Sequence, residues 1–539
     1  MRLTRLKDYS NSLKESFGLI APLRAFLRNR LTLQAALGEI RRALDQREEN
    51  FLRLAKERIY GASRSPYLAL FRHAGCTYAD LEARVRGRGL ENTLQRLAAE
   101  GIYLTSDEFK GKKEVVRGGL SFAVRPGDLA LASGPSFTIQ SSGTTNAPMP
   151  TNVSFDWLAA RAPIVAVFFA THDLFSCLHA MYDSILPASG GMNNLLVYDK
   201  LGVATERWFA RAVPGYSNRH QTFNTYLMAI VAKAWGPGFP MPEFIEIAGV
   251  DGVVRWIAES RRRRKRCCVT TAASNAVRIA RKALEMGVAL EGAIFICSGE
   301  PLTEAKRDII ARAGGRATVR CTIGGGVNLA FGCGYPVSPD DAHVNESLLA
   351  LVSHRRTLPG GSVVEPLLMT VLHPAAPRLL LNVESGDYAM HQRRNCGCVL
   401  ERAGLGLHIS GMRSFEKFTS EGMNYNYAEL YDLVEKTLPA EFGGGPGDYQ
   451  LCEEEDENGQ TKITLVVHPA VGRVSDEVLL RRLQTALGEG AWHARFWRDA
   501  GTLRVRREAP HASARGKILP LHIAGRSARL DTDCSRKLD

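Results

Sequence analysis

No apolar run in this 539-residue chain approaches the roughly eighteen residues a helix needs to cross a bilayer, which excludes a helical membrane span. The longest apolar run near the N-terminus, Phe17 to Leu23, is broken by Gly18 and Pro22 and does not make a signal-peptide core. No internal repeat is visible, which excludes solenoids and propellers. The eleven cysteines are odd in number and follow no framework spacing, so a disulfide scaffold is excluded and a reducing, cytoplasmic setting is expected. No RNP, zinc-finger or basic-zipper pattern accompanies the net charge of +13, which is spread along the whole chain. Neither a nucleic-acid nor a membrane partner is expected, and an anionic substrate is enough to account for the charge.

The composition that remains is that of a globular protein, 45% hydrophobic and 23% charged, long enough for a large core without metal or disulfide support. Residues 1–105 are rich in Leu, Ala, Arg and Glu and read as two or three helices, with Leu81, Val85, Leu90, Leu94 and Leu97 on one face. Residues 106–411 alternate strand and helix patterns. Cys267 to Thr271 and Gly292 to Cys297 read as strands, Ala272 to Met286 and Thr303 to Ala313 as helices. Such alternation predicts an α/β fold with largely parallel strands. A glycine-dense stretch, Gly404 to Gly411, marks a hinge, and residues 412–539 read as a small α+β domain with a helix over Tyr427 to Leu438, a strand over Lys462 to Val467 and a helix over Asp476 to Leu487. The run from Arg261 to Arg266 reads as an exposed helix end or a docking patch for phosphates or an acidic carrier protein.

Four separated pieces carry chemistry. Ser141-Ser142-Gly143-Thr144-Thr145, followed by Asn146-Ala147-Pro148, packs hydroxyls and a glycine into a turn that can wrap polyphosphate oxygens. It is not a P-loop, because no Gly-Lys-Ser/Thr follows at the required spacing. Ser298-Gly299-Glu300-Pro301 is a tight turn at a strand's carboxyl end, where α/β folds place ligands. Asp387, in Glu384-Ser385-Gly386-Asp387, is a carboxylate suited to ribose hydroxyls, and Arg413 follows. Lys517, beside Gly516, is a point charge on a glycine turn, able to neutralise an α-phosphate and a carboxylate as they react.

Together and in this order, the pieces resemble the adenylate-forming superfamily of acyl-CoA synthetases, adenylation domains and luciferases, and within it the phenylacetate–CoA ligase-like group. The resemblance spans about residues 60–523, with Gly422 in place of a glycine that follows the arginine. It implies a large α/β domain with a small mobile C-terminal lid. It implies ATP and Mg2+ as cofactors, formation of an acyl-AMP from a small carboxylic acid, and transfer to a thiol of CoA or a carrier protein. The implied roles are phosphate binding for residues 141–145, adenine contact for 298–301, ribose and phosphate binding for Asp387 and Arg413, and catalysis for Lys517 with Arg413.

Two positions depart from the family pattern. Met149 stands where a lysine is usual, and Gly325, after Gly324, stands where a magnesium-binding glutamate is usual. Gly324 and Gly325 would instead let the backbone approach adenine or the acyl group closely. Two alternatives therefore stay open: ATP activation with a non-thiol acceptor or an oxyanion other than carboxylate, and a nucleotide-binding descendant without catalysis. Residues 220–250 and 321–331 are candidates for the substrate pocket. Cys396-Gly397-Cys398, with Cys333, Cys321 and His391 nearby in sequence, is a candidate zinc site in some relatives. Its Cys-x-Cys spacing is short for a zinc half-site, so buried free cysteines are the expectation.

Overall fold

The computed structural model describes residues 16–131, 134–140, 150–188, 190–211, 219–246, 249–323, 326–357, 363–414, 417–420, 423–426, 430, 432–472, 474–486, 497, 500–511 and 521–523. Residues 141–149, Gly324, Gly325, Gly422 and Lys517, all singled out above, lie outside the described residues.

The N-terminal segment is built of more and shorter helices than its composition suggests. Leu81 and Val85 lie on α1 (Tyr78–Arg88), and Leu90, Leu94 and Leu97 on α2 (Leu90–Ala99). The break is Gly89, whose φ of +79° suits glycine and ends the first helix. Both apolar faces remain buried, so the five residues do share one core across two helices.

A hairpin of β1 (Ser136–Gln140) and β2 (Pro150–Ser154) leads into the long buried helix α3 (Phe155–Thr171), which is apolar nearly all round because it is covered on every side. Ten strands then form the main sheet: β3 (Leu178–Tyr182), β4 (Thr205–Arg211), β5 (Pro242–Ile245), β6 (Cys267–Ala272), β7 (Ala293–Ser298), β8 (Arg316–Ile323), β9 (Val327–Gly332), β10 (Ala342–Val344), β11 (Asp387–Arg393) and β12 (Leu407–Ser414). Their order is β11-β12-β10-β9-β8-β7-β6-β3-β4-β5. The run from β8 to β5 is parallel, and β8 through β11 pair antiparallel.

The parallel strands β6 and β7 are apolar and buried along almost their whole length, as expected when helices cover both faces. Those helices include α4 (Gly191–Lys200), α5 (Asp251–Arg262), α6 (Ala273–Glu285) and α7 (Glu304–Arg312). Ala273, Ala276, Val277, Ala280 and Ala283 form the buried stripe of α6, small enough for close approach to the sheet. The arginine run ends α5, and Arg261, Arg263 and Arg266 pair with Glu291, Glu206 and Asp173. No described helix is long and apolar enough to cross a membrane.

One hydrophobic core spans Leu19 to Ile409, and a second gathers Leu430 to Leu521. The stretch read as a hinge runs directly into β12, a strand of the main sheet, so the second core begins well beyond it. That second core lies under a four-stranded sheet of β13 (Tyr449–Glu455), β14 (Thr461–Val467), β15 (Leu503–Arg507) and β16 (Leu521–Ile523), packed with α8 (Asp476–Ala486).

Candidate functional site

The turn after β7 is where the sequence placed a ligand contact. Gly299 there has φ +81°, and Ser298 donates to Thr271 O at 3.4 Å, fixing the turn against β6. The Glu300 side chain is fully buried. It accepts from Ser274 N at 2.9 Å and from the Ser274 hydroxyl, and pairs with Lys306 at 3.3 Å. Its carboxylate is thus committed within the protein, and the turn 298–301 offers a ligand its backbone and the Pro301 face. Burial alone would push the Lys306 ammonium down, but Glu300 and Glu455 hold it above its usual value. Lys306 was missed in the sequence because a lysine on a charged helix gives no sign of being buried.

Asp387 and Arg413 lie on neighbouring strands at adjacent, not opposite, register positions. Arg413 of β12 is the cross-strand partner of Tyr388, one residue from Asp387, which is itself opposite Ser414. Asp387 is 7% exposed, and its N–H donates to Ser385 Oγ at 3.1 Å. Arg413 Nη1 lies 3.5 Å from Asp340 Oδ2. Cys321, at the end of β8, has its thiol pushed up to about 12 by burial and then by Asp340 and Asp387, which puts all three groups at one corner. Cys321 thus belongs to this acidic corner and not to the other cysteines.

Those other cysteines converge. Cys333 follows β9, His343 sits in β10, and Cys396 and Cys398 lie in the connection from β11 to the short helix Val399–Arg402. His343 Nε2 is 3.2 Å from Cys398 Sγ and 3.5 Å from Cys396 Sγ. Donor atoms of Cys333, His343, Cys396 and His408 all lie within 4.8 Å of one another. His343 Nδ1 donates to Leu405 O at 2.6 Å, which leaves the Nε2 lone pair facing the sulfurs. The Cys398 thiol is held well below its usual range by its hydrogen bonds to Cys333 and His343, while the same contact pushes Cys333 up. Sulfur and imidazole at these separations fit a tetrahedral zinc shell. The Cys-x-Cys spacing is short for a zinc half-site, but the fold brings further donors to it from Cys333 and from His343 and His408, two residues the sequence reading did not name as ligands. His391 is exposed on β11 and outside the group.

Between the two cores lies a cavity of about 410 Å³ whose lining includes Arg278, Arg281, Lys282, Lys462 and Arg504. Asp456 pairs with Arg504 at 3.0 Å and Lys462 at 3.8 Å, and Glu285 with Lys282 at 3.1 Å, leaving the wall basic.

No protein-family model matches the sequence, and no curated protein does. Among solved structures, the chain is similar to a 2-hydroxyisobutyryl-CoA ligase in complex with 2-HIB-AMP and CoA in the thioesterification state, at 15% identity and a TM-score of 0.52, over 93% of this chain and 92% of that one. The same ligase in its postadenylation state with 2-HIB-AMP gives 14% identity and a TM-score of 0.43, over 93% and 91%. An amide bond synthetase from Marinactinospora thermotolerans gives 11% and 0.37, over 89% and 97%. The first of these carries the comparison: this chain shares the mixed α/β fold of that 2-hydroxyisobutyryl-CoA ligase along nearly its whole length.

Proposed function

We propose that this chain is an ATP-dependent, AMP-forming ligase that activates a small acid as its adenylate and passes it to a thiol. The observation that carries the reading is the fold shared with an acyl-CoA ligase along nearly the whole chain, with Asp387 and Arg413 on the neighbouring strands β11 and β12. A carboxylate for ribose and a guanidinium for phosphate then lie on the two paired strands at one edge of the main sheet. The reaction needs little covalent work from the protein, so its residues act by positioning and charge stabilisation. Residues 141–145 hold the β- and γ-phosphates, Ser298 to Pro301 border the adenine, Gly324 and Gly325 let the backbone approach the bound acyl-adenylate, and Lys517 bridges the reacting oxygens. Mg2+ is carried on the nucleotide phosphates.

The acceptor is CoA rather than a carrier protein, and the basic wall of the cavity between the two cores supports this: it suits the phosphates of a nucleotide-bearing thiol. The small C-terminal unit turns between the two half-reactions, which fits its separate core. Membership of the phenylacetate–CoA ligase-like branch and a cytoplasmic setting belong to the same reading. Cys333, His343 and Cys396, three of the four residues whose donor atoms lie within 4.8 Å of one another, with Cys398 at 3.2 Å from His343 Nε2, would hold a structural zinc that ties β9, β10 and the β11 connection together, with no part in the chemistry.

Lys517→Ala tests the reading. Adenylation should slow by roughly 10²–10³, the scale of losing one transition-state charge contact, while thioester formation from supplied acyl-adenylate should change far less. Equal losses in both half-reactions would contradict the role.

A further inference from the structure

Arg161 of α3 and Arg320 of β8 are 2% and 4% exposed, and among the described residues neither has a carboxylate partner. Burial, and then Arg320, push the Arg161 guanidinium down to about 9. Arg161 Nη2 donates to Asn328 Oδ1 at 3.0 Å, and Arg320 Nη1 to Asn194 Oδ1 at 2.9 Å. These are neutral acceptors, and they leave atoms over. Arg161 Nε and Nη1, Arg320 Nε, Asn328 Nδ2 and both polar atoms of Asn193 are buried with no partner. All but Asn193 Oδ1 are donors.

Two of the spare donors, Asn193 Nδ2 and Arg161 Nη1, meet beside Gly326 at the start of β9. A methyl group placed on Gly326 would lie 3.8 Å from Asn193 Nδ2 and 4.0 Å from Arg161 Nη1. Ile139 of β1 stands 3.2 Å from the same point, and Trp157 Nε1 donates to Gly326 O at 3.4 Å. Two guanidiniums in a core without counter-charge are costly, and a surplus of donors without acceptors adds to the cost. An anion accepting from several of them at once would remove both penalties.

We infer that Arg161, Arg320 and Asn193 receive a second anionic group of the substrate, so that the acid activated here is a dianion, such as a dicarboxylate or a phosphonocarboxylate, and not a simple aliphatic or aromatic acid. The inference rests on the ligase reading for the word substrate. The anion receptor itself rests only on the buried donors.

The test is calorimetry and thermal shift without ATP, using dicarboxylates from malonate to adipate, phosphonoacetate, butyrate as the monoanion control and sulfate as the inorganic one. At least one dianion should bind about tenfold or more tightly than butyrate, the scale of one charge-assisted contact. Arg161→Met and Arg320→Met should each abolish that advantage while leaving butyrate binding unchanged. Because each removes an uncompensated buried charge, the ligand-free Tm should hold or rise, which a structural role would not allow. Arg161→Lys, which keeps the charge, should recover part of the binding and serves if the methionine variant does not fold. Butyrate binding as well as every dianion, no dianion binding at all, or sulfate matching the best dianion would each overturn the proposal. The same panel in ATP–pyrophosphate exchange separates the two readings. Dianion binding that depends on the arginines, with no exchange, sinks the ligase and keeps the receptor; exchange driven equally by monoanions does the reverse.

Discussion

Lys306 Nζ donates to Thr461 Oγ1 at 3.0 Å while lying 3.3 Å from Glu300, so one buried ammonium ties the turn after β7 to the first residue of β14. Glu455, at the end of β13, completes the junction at 3.7 Å from the same nitrogen and accepts from Thr303 Oγ1 at 2.6 Å. The turn after β7 and the C-terminal sheet are thus coupled through a single charge cluster.

Lys306→Met should cost roughly 3–5 kcal/mol of stability, because it leaves the Glu300 carboxylate buried without a countercharge. It should also loosen the docking of the small unit. Urea denaturation reads the first effect, and faster hydrogen exchange at residues 455–461 reads the second.

The metal proposal predicts about one zinc per chain by elemental analysis of the purified protein. Cys398→Ser and His343→Asn should each lose the metal and lower the Tm, whereas Cys452→Ser, buried on β13, should retain it. A metal content unaffected by these two changes would remove His343 and Cys398 from the shell.

Asp387→Asn should raise the KM for ATP by about 10–100-fold, the loss of a charged hydrogen-bond acceptor to ribose, roughly 1.5–3 kcal/mol. The change should spare the Kd for free CoA, measured by calorimetry, because the basic cavity is lined from other elements.

His179 gives a pH dependence. It is buried on β3, donates from Nε2 to Leu174 O at 2.8 Å, stacks on Phe169 at 5.3 Å and leaves Nδ1 without a partner. Burial pushes it down to about 4. The unfolded chain therefore binds this proton first. The stabilising contribution is complete above the unfolded value near 6.5 and is lost as the pH falls through that value toward 4, roughly 3 kcal/mol in all. His179→Gln should flatten the acid limb of a stability–pH curve measured by urea denaturation between pH 7 and pH 4.5.

Much of the frame was legible because local pattern and tertiary role agree. The strands at Cys267–Ala272 and Ala293–Ser298 and the helices at Ala273–Glu285 and Glu304–Arg312 fall within a residue or two of where periodicity put them. Asp387 and Arg413 fall on two paired strands of the main sheet, at adjacent register positions. What stayed hidden is non-local. His343 joins Cys398 only because β9, β10 and β12 bring four separated segments into one place. Arg161 looks like any helix arginine until α3 is covered on all sides. Gly89 splits an apparently continuous helical stripe through one backbone angle, a choice that hydrophobic spacing does not record.

The most direct test of the central claim is the product of ATP cleavage. With ATP, Mg2+ and a responsive acid, the account predicts pyrophosphate in an amount equal to acyl-AMP plus free AMP, and a mass corresponding to the acid joined to AMP. Formation of ADP and phosphate, or failure of ATP to bind in a calorimeter, would contradict it.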